Sequence, residues 1–319
     1  MKNKHCYSIE NLLHLGCGNC RGWWTIGDGD PSNPYHCPHC GYQSLTEPAA
    51  TLESKKENQV FDEVLEQENL PTEPADKRTI VVFSGAGLSA ESGIPTFRGN
   101  DSLWEQHRVE DVASQDGWIK NRSLVLDFYA QRFEAIKAAE PNLAHKAIAR
   151  LQEKFNVVNI TQNIDDLLER AGCKDVWHLH GFINRKKCER HHEISNLDGD
   201  TIFTCDYKTE TDKPVVEGER CPKCQRHLRP EVVWFGEAVD LTYDRVAKLV
   251  KEVKYRNGVF ICCGTSAQVY PAAWLLPFFS QVKNKYIIDL KPVKVADYTL
   301  IEGSAGEELD KLATELLSQ

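Results

Sequence analysis

The side chains best suited to chemistry sit in a glycine-rich turn, two short polar loops and several cysteine pairs. The turn is Gly85–Gly99, GAGLSAESGIPTFRG, and it directly follows the apolar segment Thr79–Phe83. Small residues let a backbone turn approach a ligand closely, and a helix starting there offers N–H groups to a phosphate. The run is not GxGxxG, and no Walker lysine follows it. It continues into Pro95-Thr96-Phe97-Arg98. Later stand TQNIDD at Thr161–Asp166 and HLHG at His178–Gly181. These loops supply amides, carboxylates and an imidazole, the types that orient a polar ligand and accept a proton near neutral pH.

The chain has twelve cysteines, eight of them in two groups with metal-ligand spacing. The first group is Cys17-x2-Cys20, sixteen residues, then Cys37-x2-Cys40. Each pair puts two thiolates on one turn, and two turns complete a tetrahedron. Gly18, Gly22 and Gly41 suit such turns. The spacing predicts a structural zinc in a zinc-ribbon-like module over residues 1–50, which metal removal should unfold because its apolar core is small. His36 and His39 are expected beside that site rather than on the metal. Trp23 and Trp24 form either its small core or a docking surface. The second group falls between Arg185 and Pro230, where hydrophobic periodicity fails, and suggests a small zinc lobe inserted into the fold. The cysteines are not spread like a disulfide framework, which points to a reducing compartment and a cytoplasmic location.

The positions that hold these groups are legible in outline. The 319 residues are 41% hydrophobic and 27% charged, enough for a substantial core and about two domains. The formal charge of -9 argues against a broad nucleic-acid-binding surface. No apolar run reaches the length of a membrane span, and the first twenty residues do not read as a secretory signal. Residues 51–76 carry eight acidic and two basic side chains and form either a linker or a docking helix over Asn58–Glu68. From Lys77 the pattern is α/β. Thr79–Phe83, Asn156–Ile160, Val259–Cys263 and Tyr286–Leu290 are almost wholly apolar, as strands of a sheet covered on both faces should be. Helical spacing marks Leu124–Ala139, Leu143–Lys154, Asp165–Ala171 and Tyr243–Val253. The expected architecture is a Rossmann-like parallel sheet over 77–319 with a zinc lobe at 185–230, preceded by the N-terminal zinc module.

In combination, GAGLSAESGIPTFRG, TQNIDD and HLHG resemble the sirtuin family, the NAD-consuming protein lysine deacylases. The resemblance covers residues 77–319. It implies that Gly85, Ala86, Gly87 and Ser89 cradle the NAD phosphates, and that Phe97 and Arg98 lie over the nicotinamide ribose. Gln162, Asn163 and Asp165 would surround the nicotinamide pocket, and His180 would be the general base. Gly264, Thr265 and Ser266 match a later cofactor loop, and Lys291 and Ala305 fall at the adenosine end. Val232, Val233, Phe235 and Gly236, within VVWFGE, match a segment that pairs with an extended substrate peptide. The resemblance makes Cys188, Cys205, Cys221 and Cys224 the ligands of a structural zinc, with His191 and His192 as competitors for the place of Cys205. Two structural zinc ions are thus expected in all. Implied products are deacylated lysine, nicotinamide and O-acyl-ADP-ribose. An ADP-ribosyltransferase or NAD hydrolase would share the first chemical step.

Tyr129-x2-Arg132 lies on the helix Leu124–Ala139, one turn apart and so on one face. In sirtuins resembling the desuccinylase and demalonylase group, such a pair recognises a carboxylate on the acyl chain, and Ala113 matches a small residue that widens the pocket. Arginine grips a carboxylate with two parallel bonds and tyrosine adds a hydroxyl. Acetyl removal stays compatible with this pair. Two departures stand out. Lys291 occupies a place where relatives usually carry Asn, and Leu168 one where they commonly carry His. Expected partners are acyl-lysine proteins or peptides. For the front module a protein-docking or intramolecular role is expected rather than nucleic-acid binding, since residues 1–50 hold three basic and four acidic side chains.

Overall fold

The computed structural model describes residues 77–96, 103–104, 107–189, 205–235, 237, 239, 241, 243–265 and 272–319, and six strands within the first 76 residues. The chain divides into two compact units, Met1–Asp76 with Trp234–Lys251, and Lys77–Val233 with Glu252–Gln319.

In the first unit, β1 (His5–Ile9), β2 (Leu12–Gly16), β3 (Trp23–Gly27), β4 (Tyr35–His36), β5 (Gln43–Ser44) and β6 (Thr46–Pro48) form two sheets. One has the order β3-β2-β1-β6, and the other pairs β4 with β5. This overturns the expected zinc-ribbon module. The described part of the segment is organised by strand pairing, with β1 bonded to β2 on one side and β6 on the other. The four-thiolate cluster found among the described residues is internal, at Cys188, Cys205, Cys221 and Cys224. Cys17, Cys20, Cys37 and Cys40 lie outside the described residues, as does the helix expected at Asn58–Glu68. Trp23 and Trp24 fall in β3.

The second unit begins with β7 (Thr79–Ser84), α1 (Gly87–Ala90), β8 (Leu103–Trp104), β9 (His107–Arg108), α2 (Val109–Val112), α3 (Gln115–Lys120), α4 (Arg122–Ala138) and α5 (Leu143–Leu151). There follow β10 (Asn156–Thr161), α6 (Leu167–Arg170), β11 (Asp175–His178), β12 (Gly181–Cys188), β13 (Lys208–Glu210) and β14 (Leu228–Val232). Helix α7 (Tyr243–Tyr255) crosses the boundary between the units. The chain ends with β15 (Val259–Cys263), α8 (Ala272–Phe278), β16 (Asn284–Asp289), β17 (Thr299–Glu302) and α9 (Ala305–Ser318). No helix among the described residues is long and apolar enough to cross a membrane.

The central sheet has the order β11-β10-β7-β15-β16-β17, and every pair in it is parallel. Ile80, Val81, Val82, Phe83 and the whole of β15 are buried, which explains their unbroken apolar runs. Helices α5 and α9 cover one face. Ala144, Ala147, Ile148 and Leu151 share a buried cluster with Leu309, Leu312, Ala313 and Leu316, beneath Ile80, Val82, Val259 and Ile261. The spacing of three and four residues in each set places these side chains on one stripe.

The expected Rossmann-like sheet and internal lobe are present, with shifted boundaries. Helix α6 starts at Leu167 rather than Asp165, because the Asp165 carboxylate accepts the Leu167 N–H at 3.1 Å and turns the chain first. Strands β11 and β17 escape sequence periodicity because they are short edge strands with partly exposed residues. The inserted lobe is a three-stranded antiparallel sheet, β13-β12-β14. Its entry needs glycine at 181, where φ is +85° and a Cβ would collide with the Glu231 carbonyl.

From β7 the chain passes to β10 and β11 on one side, then returns to β15, β16 and β17 on the other. In sheets of this kind ligands bind at the carboxyl ends of the strands where the winding reverses. Register sets Ser84 beside both Thr161 and Cys263, and Thr161 beside His178. The residues that follow these four are the ones singled out by their chemistry.

Candidate active site

The turn after β7 is held against the loop after β15. Gly85 N donates to Cys263 O at 3.1 Å and Gly87 N to Gly264 O at 2.7 Å. The amides of Leu88 and Ser89 are bonded to Gly85 O and Ala86 O inside the turn. A Cβ at Gly87 would stand 2.6 Å from the Gly264 Cα, so the two backbones approach this closely only because both positions lack side chains. Ala86 precedes the single helical turn α1 and is half-buried. Thr265 Oγ1 donates to Gln162 Oε1 at 2.9 Å, joining the β15 loop to the β10 loop. Ser266, Phe97 and Arg98 lie outside the described residues.

Below this surface sits a polar cluster centred on Ser89, which is 1% exposed. Its hydroxyl donates to Asp165 Oδ2 at 2.9 Å and accepts from Asn163 Nδ2 at 3.1 Å. The ring of His145 lies 3.5 Å away through Nε2. On its other side the ring meets the start of α5, with Nδ1 3.3 Å from Asn142 N and 2.9 Å from Asn142 Oδ1. Asn142 begins α5 and also donates through Nδ2 to Leu88 O at 2.8 Å, which ties this helix to the turn. Burial pushes the Asp165 carboxyl up, against its bonds from Ser89 and the Leu167 N–H. Burial pushes His145 down to about 4, so the ring is neutral.

His145 and Asn142 were not anticipated from the sequence. A histidine on an apolar helix stripe reads as a packing residue. The available signal was Asn142 three residues before His145, the spacing of a capping box, which the structure forms with both bonds.

His180 follows β11. Burial pushes its imidazole down to about 4, against a hydrogen bond to the Gln162 backbone that favours the charged form. It is therefore a neutral proton acceptor at neutral pH. Its carbonyl accepts Val233 N at 2.9 Å, fixing it to the end of β14. Val232 is buried in β14, where it pairs with Gly181. Phe235 belongs to the other unit, and Gly236 lies outside the described residues. At the far end of the sheet, Lys291 is exposed and its N–H is held by Asp289 Oδ1 at 2.9 Å. Ala305 is buried at the start of α9, behind the cap formed by Ser304.

Helix α4 carries Tyr129 and Arg132, 1% and 5% exposed. The two are not equivalent. Arg132 lines a cavity of about 480 Å³ together with Ile94, Pro95, His107 and Gln131. Its guanidinium stands 4.6 Å over the Phe128 ring. Tyr129 packs edge-on against that same ring, with centroids 5.2 Å apart. Ala113 is buried at the end of α2. Helix α4 is pinned near both ends. Arg122 bonds Glu189 at 3.2 Å and His227 at 3.0 Å, and stacks over Trp118. Near the other end, Arg170 donates to Ile136 O at 3.2 Å and Lys137 pairs with Asp166 at 3.8 Å.

A family model described as the Sir2 family matches residues 85–271, more than half of the chain. The chain belongs to the Sir2 family. The Sir2 domain is 40% identical over 245 residues to NAD-dependent protein deacylase 1 of Archaeoglobus fulgidus, covering 75% of this chain and 93% of that protein. Among solved structures it resembles a Sir2 homologue in complex with NAD, at TM-score 0.63 and 34% identity, covering 82% of this chain and 94% of the other. A Sir2 homologue carrying substitutions, in complex with 2'-O-acetyl ADP-ribose, matches at the same TM-score and identity, over 82% of this chain and 96% of its own.

The thiolates of the Sir2 lobe suit a metal. The Sγ atoms of Cys188, Cys205, Cys221 and Cys224 all lie within 4.8 Å of one another, with Cys188–Cys224 at 3.4 Å and Cys205–Cys221 at 3.6 Å. Tetrahedral zinc with Zn–S near 2.3 Å needs sulfurs about 3.8 Å apart. Four thiolates leave no open position, so an ion here would hold the lobe together rather than activate water. His191 and His192 lie outside the described residues. The second zinc ion expected from the N-terminal cysteines falls with the module itself.

Two outcomes follow from this geometry. Replacing the fully buried Cys221 with serine should lower both the melting temperature and the zinc bound per chain, read by calorimetry and metal analysis; unchanged zinc content would contradict the assignment. Stability should also fall as pH drops from about 6.5 toward 4. His145 and His180 have folded values below their unfolded ones, so the unfolded chain binds more protons in that window. Asp165, pushed up by burial, acts in the opposite direction. Urea midpoints of the native protein and a His145→Gln variant across this range test the sign, with a shallower slope expected in the variant.

Proposed function

We propose that this enzyme removes acidic acyl groups, succinyl and malonyl, from lysine side chains, with NAD as its co-substrate. NAD-dependent deacylation is the activity of the chain; the proposal concerns the acyl group and the residue roles. The observation that carries it is Arg132. A guanidinium 5% exposed at the wall of a cavity of about 480 Å³ gives an acyl carboxylate a charged, two-pronged partner in a poorly solvated place. Tyr129, packed against Phe128, supports the wall that holds Arg132, and its hydroxyl is the second candidate donor. Ala113, buried at the end of α2, is the small residue that would leave room for the acyl chain. Acetyl-lysine would enter the same cavity without using the charge.

The residues around the turn fit NAD. Gly87 and Gly264 let the two loops meet backbone to backbone, and Gly85 and Ala86 would shape the wall for the phosphates above the buried Ser89. Gln162, Thr265 and, beyond the described residues, Phe97, Arg98 and Ser266 would hold the nicotinamide ribose. Lys291 and Ala305 would meet the adenosine end. Bound NAD supplies a ribose carbon that loses nicotinamide and receives the acyl oxygen. Asn163 and Asp165 orient the ribose and exclude misplaced geometries, because their own positions are fixed by Ser89. His180 takes the proton from a ribose hydroxyl as neutral imidazole. A reducing, cytoplasmic setting belongs to the same proposal, consistent with the buried free thiols Cys173, Cys262 and Cys263.

The deciding experiment compares succinyl-, malonyl- and acetyl-lysine peptides on the native enzyme and on Arg132→Met. Loss of a charge-assisted contact should cost about 2 kcal/mol, roughly thirtyfold in kcat/KM, for the two acidic acyl groups and little for acetyl. Equal losses for all three would remove carboxylate recognition. A second expectation concerns His180. The native kcat/KM should decline as acidity nears pH about 4, where the ring gains its proton, while His180→Gln should be inactive across the range. Residual activity in that variant with an unchanged acid limb would assign the base elsewhere.

A further inference from the structure

His178 makes two contacts that a neutral imidazole cannot make together. Its Nδ1 lies 2.9 Å from the backbone oxygen of Asn163, and its Nε2 lies 2.7 Å from Glu169 Oε1. A carbonyl and a carboxylate only accept hydrogen bonds. Both ring nitrogens must therefore donate, which requires the doubly protonated ring. The His178 side chain is 11% exposed and that of Glu169 is 37% exposed, so the pair is shielded on the side of the histidine. The ring also rests on Phe182, with centroids 4.5 Å apart.

The partner of this ring is the residue whose placement matters most. Asn163 N donates to Thr161 Oγ1 at 3.0 Å, and Asn163 Nδ2 donates to Ser89 Oγ at 3.1 Å. The bond from His178 to Asn163 O is the third tether, and it closes the peptide from the carbonyl side. Without it, the Asn163 carbonyl loses this donor while the other two tethers persist. The charged groups around the ring come from three places. Glu169 lies on α6, and Asp165 acts electrostatically on the ring from the β10 loop. Arg185 on β12 stacks over Phe182, 5.2 Å from its centroid.

We propose that His178 is a positioning residue: as an imidazolium bridging Glu169 and the Asn163 carbonyl, it holds Asn163 in register with Ser89 for acyl transfer. This rests on the placement of Asn163 in the NAD site proposed above. It differs from the role of His180, which acts as neutral base. Two histidines two residues apart thus work in opposite protonation states, because one faces two acceptors and the other is desolvated by burial.

The test uses the full-length chain and four variants: Asn163→Ala, His178→Phe, His178→Gln and Glu169→Gln. His178→Phe should lower kcat about tenfold through misplacement of Asn163, with KM for NAD nearly unchanged. His178→Gln, which keeps one N–H donor for the carbonyl, should recover part of that loss. Nitrogen NMR of histidine-labelled protein near neutral pH should show His178 as imidazolium in the native enzyme and neutral in Glu169→Gln, whose kcat should fall less than that of His178→Phe because a neutral ring still has one N–H for the carbonyl. An imidazole signature in the native protein overturns the proposal. So does native kcat in His178→Phe while Asn163→Ala is impaired. Native kcat in Asn163→Ala overturns the site reading and this proposal with it. Should His178→Phe fail to fold, Glu169→Gln on the more exposed partner decides the matter through kcat and the ring signal.

Discussion

One buried hydroxyl connects the parts of this molecule that must act together. Ser89 Oγ joins the turn after β7 to Asp165 and Asn163 in the loop after β10, and to His145 on α5. A serine hydroxyl has one proton and two acceptor sites: the proton goes to Asp165 and one acceptor site takes the Asn163 amide, with the His145 ring 3.5 Å away. Each partner is itself buried, so loss of any bond would leave an unpaired polar group away from water. This explains why the network extends to second partners. Asn142 orients His145, the Leu167 N–H orients Asp165, and Thr161 orients Asn163. Ser89, Asp165 and Asn163 are thus tied to one another and to second partners below the surface of the crevice.

The sheet makes that network feasible. Parallel register aligns the ends of β7, β10, β11 and β15, so four loops leave from one edge. Reversal of winding on either side of β7 opens the crevice between them. Gly87 and Gly264 then allow the first and last of these loops to touch through their backbones. The antiparallel lobe reaches the same edge through Gly181 and the bond from Val233 to the His180 carbonyl. It also holds α4 through Glu189 and His227. The four-cysteine cluster thus sits in the lobe that holds α4 through Glu189 and His227.

Much of the core was legible from the chain because buried parallel strands leave unbroken apolar runs and covering helices leave stripes. Strands β7, β10 and β15 and helices α4 and α5 show this directly. Short edge strands such as β11 and β17 leave no such trace, since half of their surface faces water. The N-terminal cysteines show the opposite limit. Their spacing satisfies the local requirement for a metal turn, yet spacing alone does not state whether two turns converge. Strand pairing of β1 with β2 and β6 organises the described part of that segment instead. Arg132 and Tyr129 share a helix face by spacing and both pack on Phe128, but only the tertiary structure shows Arg132 lining the cavity with Ile94, Pro95, His107 and Gln131.

By itself the sequence determined the membership of the Sir2 family, the glycines that permit close backbone approach, and the residue types available for group transfer. These are local properties: a missing Cβ, a titratable ring and a pair of amides keep their character wherever they stand. Tertiary structure decided protonation and partnership. His145 and His180 are neutral because burial withholds water from their charged forms. His178 is bracketed by two acceptors because β11 ends beside the β10 loop and α6 turns Glu169 toward it. Desolvation and the arrangement of hydrogen-bond partners arise only when distant segments meet, so the working state of each histidine could not be read from its place in the chain.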